Sequence, residues 1–327
     1  MFRQINITAL SDIPGYVQTF AEDVGFTVGG SSSAPTVQRP DDGSAITFEF
    51  SLTTASDAAG TFDVLQWKGT GSDNTKIAWT LSPRHMVGGT FTRLAPSKLI
   101  MFGALTPQPY LAIVVAYGFN LYRHLYLGHM EILGDYTGGE IIAGSGFRDR
   151  SISALSYRDP LAPTHAYLFS SYQPLIDSAH CGGVHINHAD NTTYPFRVFS
   201  RPNTVSISTP IIPESAALGG FVDNINDGYL ARAKSRFNSA NILVPINLYA
   251  ARPGPVLSPI GRVPGIRMVR MDDIDPEETI SIGSAHWECI PAFEKNSSQT
   301  VPGNATFPYG ITDETSWMVG YAYRTDL

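Results

Sequence analysis

Residues Tyr110–Gly146 read YLAIVVAYGFNLYRHLYLGHMEILGDYTGGEIIAGSG, and the fold turns on how this stretch is parsed. Tyr110–Tyr117 is an unbroken apolar run, rich in β-branched and aromatic side chains and of strand rather than helix length. Gly118-Phe119-Asn120 supplies residues that tolerate positive φ, so the chain reverses there. Leu121–Leu127 then alternates with period two. Leu121, Arg123, Leu125 and Leu127 fall on one face, and Tyr122, His124 and Tyr126 on the other. Gly128 interrupts, His129–Leu133 resumes, and Gly134-Asp135 and Gly138-Gly139 punctuate again. The pattern predicts three or four sequential antiparallel strands. It is a scaffold: no nucleophile, phosphate loop or metal set sits on it.

Outward from this block, the chain is rich in strand and turn formers. Its 327 residues carry 43% hydrophobic but only 16% charged residues, with 30 Gly and 23 Pro. Charge is thus well below the roughly 25% usual in soluble domains, and many short strands with shaped loops are expected. Low surface charge also suits a protein packed against neighbours. The net charge is −7 and Lys/Arg residues do not cluster, which argues against a dedicated nucleic-acid groove. Cys181 and Cys289 allow one bridge at most and are read as two buried free thiols. MFRQINITAL lacks a charged leader with an apolar core, and no run approaches the roughly 20 apolar residues that span a bilayer. A soluble protein without signal peptide or membrane insertion is expected.

In chain order, a strand over Arg3–Ala9 precedes a helix from Ser11 to Asp23. Ser11 is read as N-cap, Pro14 lies in the first turn, and Ile13, Val17, Phe20 and Val24 form the apolar face. Gly25 stops the helix. Strands follow at Phe26–Val28 and Ile46–Leu52, separated by a loose Ser/Gly loop, and then at Phe62–Gly69 and Lys76–Ser82. The passage Arg84–Pro109 is read as a Pro-punctuated link. Residues 1–95 therefore form an N-terminal α+β domain, and 96–327 an antiparallel β-rich domain with long Pro/Gly loops. The fold class expected is mainly β, an antiparallel sandwich or meander with a small N-terminal α+β unit. A second short helix is expected near Tyr229–Phe237, a hairpin reversing at Gly283-Ser284-Ala285, and a closing strand over Trp317–Tyr323.

Several stretches invite a chemical reading. HCGGVHINH places His180, Cys181, His185 and His188 together, but the spacing fits no zinc pattern, the adjacent His180 and Cys181 point apart if extended, and His185 and His188 face opposite sides of a regular strand. Asp223–Gly228 lacks the acidic third and twelfth positions of a calcium loop, where Ile225 and Lys234 stand. Gly69–Asn74 reads as a hairpin tip. AGSGF has its glycines at the wrong spacing for a nucleophile elbow. The acidic pairs Asp41-Asp42, Asp272-Asp273 and Glu277-Glu278 lie in turns, where carboxylates are usually solvated. No enzymatic activity, metal or cofactor is expected. The aromatic alternations at Tyr122/Tyr126 and Trp317/Tyr321/Tyr323 are read as core or subunit interface ahead of a stacking platform for sugars or bases.

Two blocks carry a resemblance. Pro259–Asn296, preceded by ILVPINLYAARPG and closed by GYAYR, resembles virion structural proteins of tailed bacteriophages. Leu121–Ile142 resembles the central block of that group, in which a strand ending Tyr-x-His-Leu-x-x-Gly precedes a turn with paired glycines. The N-terminal helix ending in Val-Gly-Phe-Thr-Val matches its opening. Together these segments cover about a third of the chain. The resemblance implies a multi-copy baseplate or tail-tip component without enzymatic activity, made in a host cytoplasm and resident in the virion. Its partners would be copies of itself and other tail proteins. A host-surface carbohydrate adhesin is the alternative, and a neck or capsid-associated protein a further one. The Pro-rich passage Ala251–Gly265 has little backbone hydrogen-bonding capacity of its own and is read as an extended arm lying on a neighbour. The interface candidates are accordingly Pro253, Pro255, Pro259, Pro264, Tyr122, Tyr126, Trp317 and Tyr321.

Overall fold

The computed structural model describes residues 1–40, 47–57, 60–70, 76–81, 84–87, 90–93, 95–117, 121–134, 138–144, 183–188, 196–198, 242–252, 256–271, 274–291 and 319–327. Within them the chain is mainly β, with one α-helix and antiparallel pairing throughout. In chain order the elements are β1 (Phe2–Asn6), α1 (Ile13–Val24), β2 (Thr27–Ser31), β3 (Ala34–Gln38), β4 (Thr47–Asp57), β5 (Gly60–Thr70), β6 (Lys76–Leu81), β7 (Arg84–Val87), β8 (Thr90–Arg93), β9 (Pro96–Ala104) and β10 (Tyr110–Tyr117). They continue with β11 (Leu121–His129), β12 (Glu131–Ile132), β13 (Gly138–Gly144), β14 (Gly183–His188), β15 (Phe196–Val198), β16 (Val244–Arg252), β17 (Val256–Arg270), β18 (Glu278–Ile282), β19 (Ala285–Pro291) and β20 (Val319–Arg324).

The apolar run at Tyr110–Tyr117 becomes β10, third in a seven-stranded sheet of order β1-β9-β10-β11-β13-β14-β15. Every residue of β10 is buried. A strand can be apolar on both faces only if both are covered, and here two layers do this. Leu111, Ile113, Val115 and Tyr117, with Leu125 and Leu127 of β11, face α1 and the five-stranded sheet β2-β3-β4-β5-β6. The other face, with Tyr110, Tyr122, His124 and Tyr126, meets the sheet β12-β17-β20-β19-β18, which β16 extends through β17.

The helix forms where its apolar spacing predicts, but Ile13 is its first residue and Asp12, not Ser11, is its N-cap. Leu10–Asp12 make a 3-10 turn, and Pro14 in the first α turn gives up only an N–H that would have no helical partner anyway. Ile13, Val17, Phe20 and Ala21 are buried against the seven-stranded sheet. Gly103 of β9 lets the helix approach, since a Cβ there would stand 3.0 Å from Val24 and 3.2 Å from Phe20. Gly25 ends the helix at φ 104°, its N–H bonded to the carbonyls of Ala21 and Glu22.

Two sequence expectations are corrected. Arg84–Pro109 is no link: it holds the β7–β8 hairpin and β9, whose Leu99–Phe102 are fully buried. Its prolines flank the strand or open it, as Pro96 does, and so leave the ladder intact. The loose loop after Val28 is instead the β2–β3 hairpin, closed by the Ser31–Ala34 pair. Pairing and packing also run across residue 95. β1 pairs with β9, and one core holds Ile13, Phe20, Phe50 and Leu65 together with Leu99, Ile113 and Ile142.

The Pro-rich arm is the third correction. Ala251 and Arg252 end β16, and Val256–Gly265 open the 15-residue β17, which pairs with β16. The passage lies against its own chain. Its prolines are tolerated because the register slips beside them. Pro259 sits opposite Tyr249 at one shift, and Pro264 lies in the stretch skipped between the Asn247–Arg262 and Pro245–Arg267 pairs. Gly265, in that same stretch, takes φ 66°, and a Cβ on it would fall 2.1 Å from the Tyr110 ring.

Candidate functional site

The chemistry-bearing side chains gather in the seam between the seven- and six-stranded sheets. Its geometry begins with the period-two alternation of β11, which sends Tyr122, His124 and Tyr126 to one side. Each meets a different part of the six-stranded sheet. Tyr122 Oη donates to Glu277 Oε1 at 3.1 Å, and Tyr126 Oη donates to the Pro264 carbonyl at 3.0 Å. His124 lies between Tyr323 Oη, 2.7 Å from Nδ1, and the Pro291 carbonyl, 2.9 Å from Nε2.

The His124 tautomer follows from these partners. A carbonyl only accepts, so Nε2 carries the proton and donates to Pro291, leaving Nδ1 to accept from the Tyr323 hydroxyl. Burial disfavours the imidazolium and pulls its pKa down to about 3, with Arg123 adding repulsion and the Pro291 bond opposing. The ring is packed as well as bonded. Phe2, Phe102, Tyr323 and His124 form a stacked series with centroid separations of 5.1, 4.5 and 5.9 Å, and Tyr321 meets His124 edge-on at 5.3 Å.

Glu277 is the second node. It stands in the acidic turn before β18 at φ 65°, a conformation that costs a non-glycine residue about 1 kcal/mol or more. Its carboxylate accepts from Lys98 of β9, from Tyr122 of β11 and, at 3.3 Å, from Gln4 of β1. One side chain therefore ties three strands of one sheet to the start of another. Beside it Glu288 is buried and accepts from Thr279 Oγ1 at 2.9 Å. Desolvation raises the Glu288 pKa, with the Glu277 charge adding to the effect.

Two carboxylates in unlike surroundings are the raw material of acid–base catalysis. Here each is held by donors of its own chain. The shallow apolar depression lined by Phe26, Val37, Phe48 and Leu127 lies on the opposite side of the seven-stranded sheet.

The interface candidates divide accordingly. Tyr122, Tyr126 and Tyr321 are 3%, 0% and 1% exposed, so the interface they build is internal to the chain. Pro264 is buried in the same seam. Pro259 occupies β17, while Pro253, Pro255 and Trp317 lie outside the described residues. So do the expected helix at Tyr229–Phe237, the Asp223–Gly228 turn, and His180 and Cys181. His185 and His188 belong to β14, paired with Ile142 and Gly138. Among the described residues no three His, Cys, Asp or Glu side chains are grouped to hold a metal, and no helix is long and apolar enough to cross a membrane. Cys289 is free and buried, its thiol pushed up to about 12 by desolvation.

The sequence places Glu277 among turn carboxylates that are usually solvated, and the structure puts it in the seam instead. Nothing local marks it, because its three partners come from Gln4, Lys98 and Tyr122, more than 150 residues away. In comparisons with known proteins, no family model matches the chain and no curated protein matches it.

Proposed function

We propose that the chain is a structural component of a tailed-phage virion, present in several copies at the baseplate or tail tip and acting through protein–protein interfaces. The observation that supports this most is the fate of the seam's polar groups. Lys98, Tyr122, Glu277, His124, Tyr323, Thr279 and Glu288 are engaged with one another or with backbone of the same chain. Groups used in this way fasten two sheets together, which suits a block that bears load. The sequence resemblance of the Pro259–Asn296 and Leu121–Ile142 blocks points to the same class. In this reading the partners are copies of the chain and other tail proteins, no cofactor is required, and the residence is the particle.

The test is quantitative mass spectrometry of purified particles, alongside incubation of the purified chain with host envelope polysaccharide and peptidoglycan. Several copies per particle and intact polymer are expected. Absence from particles, or polymer cleavage lost in a Glu288→Gln variant, would overturn the proposal.

A further inference from the structure

The outer face of the six-stranded sheet, turned away from the seam, holds a cluster of three arginines in which, among the described residues, Arg267 has no carboxylate in ion-pair contact. Trp287 of β19 pairs with Arg324 of β20, and Arg267 of β17 pairs with the neighbouring Ala322. The guanidinium carbons of Arg267 and Arg324 stand 5.3 and 5.9 Å from the centre of the one Trp287 ring. The indole thus gathers two like charges by cation–π attraction. Arg324 is compensated by Asp326, whose carboxylate receives two of its N–H groups at 3.0 and 3.1 Å. Arg262, close enough to repel Arg267, has Glu131 at 3.7 Å.

Arg267 has no carboxylate in direct contact among the described residues, and Glu131, which pairs with Arg262, attracts it only from farther away. Arg267 Nη1 donates to the Ile266 carbonyl at 2.8 Å. It is nevertheless half-buried, and desolvation together with Arg262 lowers its pKa. A partly desolvated guanidinium with unused donors is an incomplete arrangement. A carboxylate presented to its planar fork completes it.

The same sheet offers the complementary feature. The turn into β18 reads DDIDPEE, five acids in seven residues of a chain whose net charge is −7. Asp275 and Glu278 of that turn are exposed, Glu278 Oε2 accepting from the Asp275 N–H at 2.8 Å, whereas Glu277 is held inward by Lys98 and Tyr122. β18 is the end strand of its sheet, and Ile282 upon it is 48% exposed. Turn and arginine cluster lie at different places on one chain, so a contact between them joins two copies head to tail.

We propose that Arg267, braced by Trp287 and flanked by Arg262 and Arg324, is the receptor for the acidic Asp275–Glu278 turn of a second copy of this chain. The inference rests on the multi-copy reading above only in expecting copies side by side. A carboxylate rather than an apolar patch is the occupant because the unmet need is for negative charge with two acceptor atoms.

Sedimentation velocity of the full chain in low and high salt tests this. The wild type is expected to associate in a concentration-dependent way that salt weakens. Arg267→Glu and Glu278→Arg should each weaken association about tenfold or more. Mixing these two variants should restore it, because the unaltered Glu278 of one meets the unaltered Arg267 of the other, and the opposite contact joins the two exchanged charges. Melting curves check that each variant folds, and Arg267→Gln replaces Arg267→Glu should the latter melt early, with loss of association still expected. Wild-type chain that stays monomeric, association indifferent to Arg267→Glu or Arg267→Gln, or a mixture no stronger than its components would each overturn the inference. None of those results touches the copy number found in particles, so the failure of this contact and the failure of the virion reading are separable.

Discussion

The two faces of the seven-stranded sheet solve the same problem with different chemistry. Toward α1 and the five-stranded sheet the cover is apolar: Leu111, Ile113, Val115, Leu125 and Leu127 meet Ile13, Val17, Phe20, Phe50 and Leu65. Toward the six-stranded sheet the cover is aromatic and hydrogen-bonded, with each of Tyr122, His124 and Tyr126 reaching a named acceptor or donor. The apolar face gains stability from area and tolerates volume-conserving apolar substitution. The aromatic face adds direction, because a sheet shifted by one residue would leave His124, Tyr126 and Glu277 buried without partners. The difference teaches which face holds the molecule together and which fixes how its outer layer is seated.

Removing bulk from the apolar face should have the largest effect. Ile113→Ala, at a residue 1% exposed, is expected to cost about 3 kcal/mol in urea or thermal unfolding. A loss below about 1 kcal/mol would mean that this face is not the principal core.

The aromatic face should reveal itself through pH. His124 is neutral in the folded chain down to about pH 3 but takes a proton in the unfolded chain near its ordinary 6.5. Between those values the unfolded state binds more protons, so stability falls as pH falls through the window. From pH 7 to pH 5 the expected loss from this group is about 2 kcal/mol. Glu288 works in the opposite sense. Its raised pKa means that the folded state holds the proton more tightly, so acidification through the range above its ordinary 4.5 restores some stability. His124→Gln should lower stability at pH 7 and flatten the slope between pH 7 and pH 5. An unchanged slope would show that the imidazole is not the titrating group.

The smallest of these effects concerns the Glu277 node. A double-mutant cycle with Lys98→Met and Glu277→Gln is expected to give a coupling of about 1 kcal/mol, since both partners retain some exposure. Additivity within about 0.3 kcal/mol would reduce the node to a surface contact.

These features were not equally legible in the sequence. The central strands were plain, because Tyr110–Tyr117 has only one regular reading and Leu121–Leu127 separates its two faces by type. The helix was plain too, from apolar spacing with Pro14 and Gly25 at its ends. β9 was hidden by the prolines around it, although the apolar run Leu99–Phe102 was there to be read. The Pro-rich passage misled in another way, since a proline's missing N–H matters only where the ladder needs it. The register shifts that spare Pro259 and Pro264 are set by pairing with β16. The seam escaped altogether as a unit. Tyr122, Tyr126 and Tyr321 were recognised as a face seeking cover, but whether that cover is a neighbour or a distant part of the same chain depends on contacts across 140 to 200 residues, such as Tyr126 to Pro264 and His124 to Tyr323. Alternation along a strand says that a face will be buried and is silent about by whom.

Tyrosine nitration of the isolated chain, read by peptide mass spectrometry, tests the central claim most directly. Tyr16 is 39% exposed on α1 and serves as the internal standard. If the six-stranded sheet closes over its neighbour within one chain, Tyr122, Tyr126, Tyr321 and Tyr323 should stay unmodified under conditions that nitrate Tyr16 fully. Burial also raises the pKa of Tyr122, Tyr126 and Tyr323, which keeps them from the reactive phenolate. Nitration of Tyr122, Tyr126 and Tyr321 at the rate of Tyr16 would contradict the account, because the aromatic face would then be open in the single chain and waiting for another molecule.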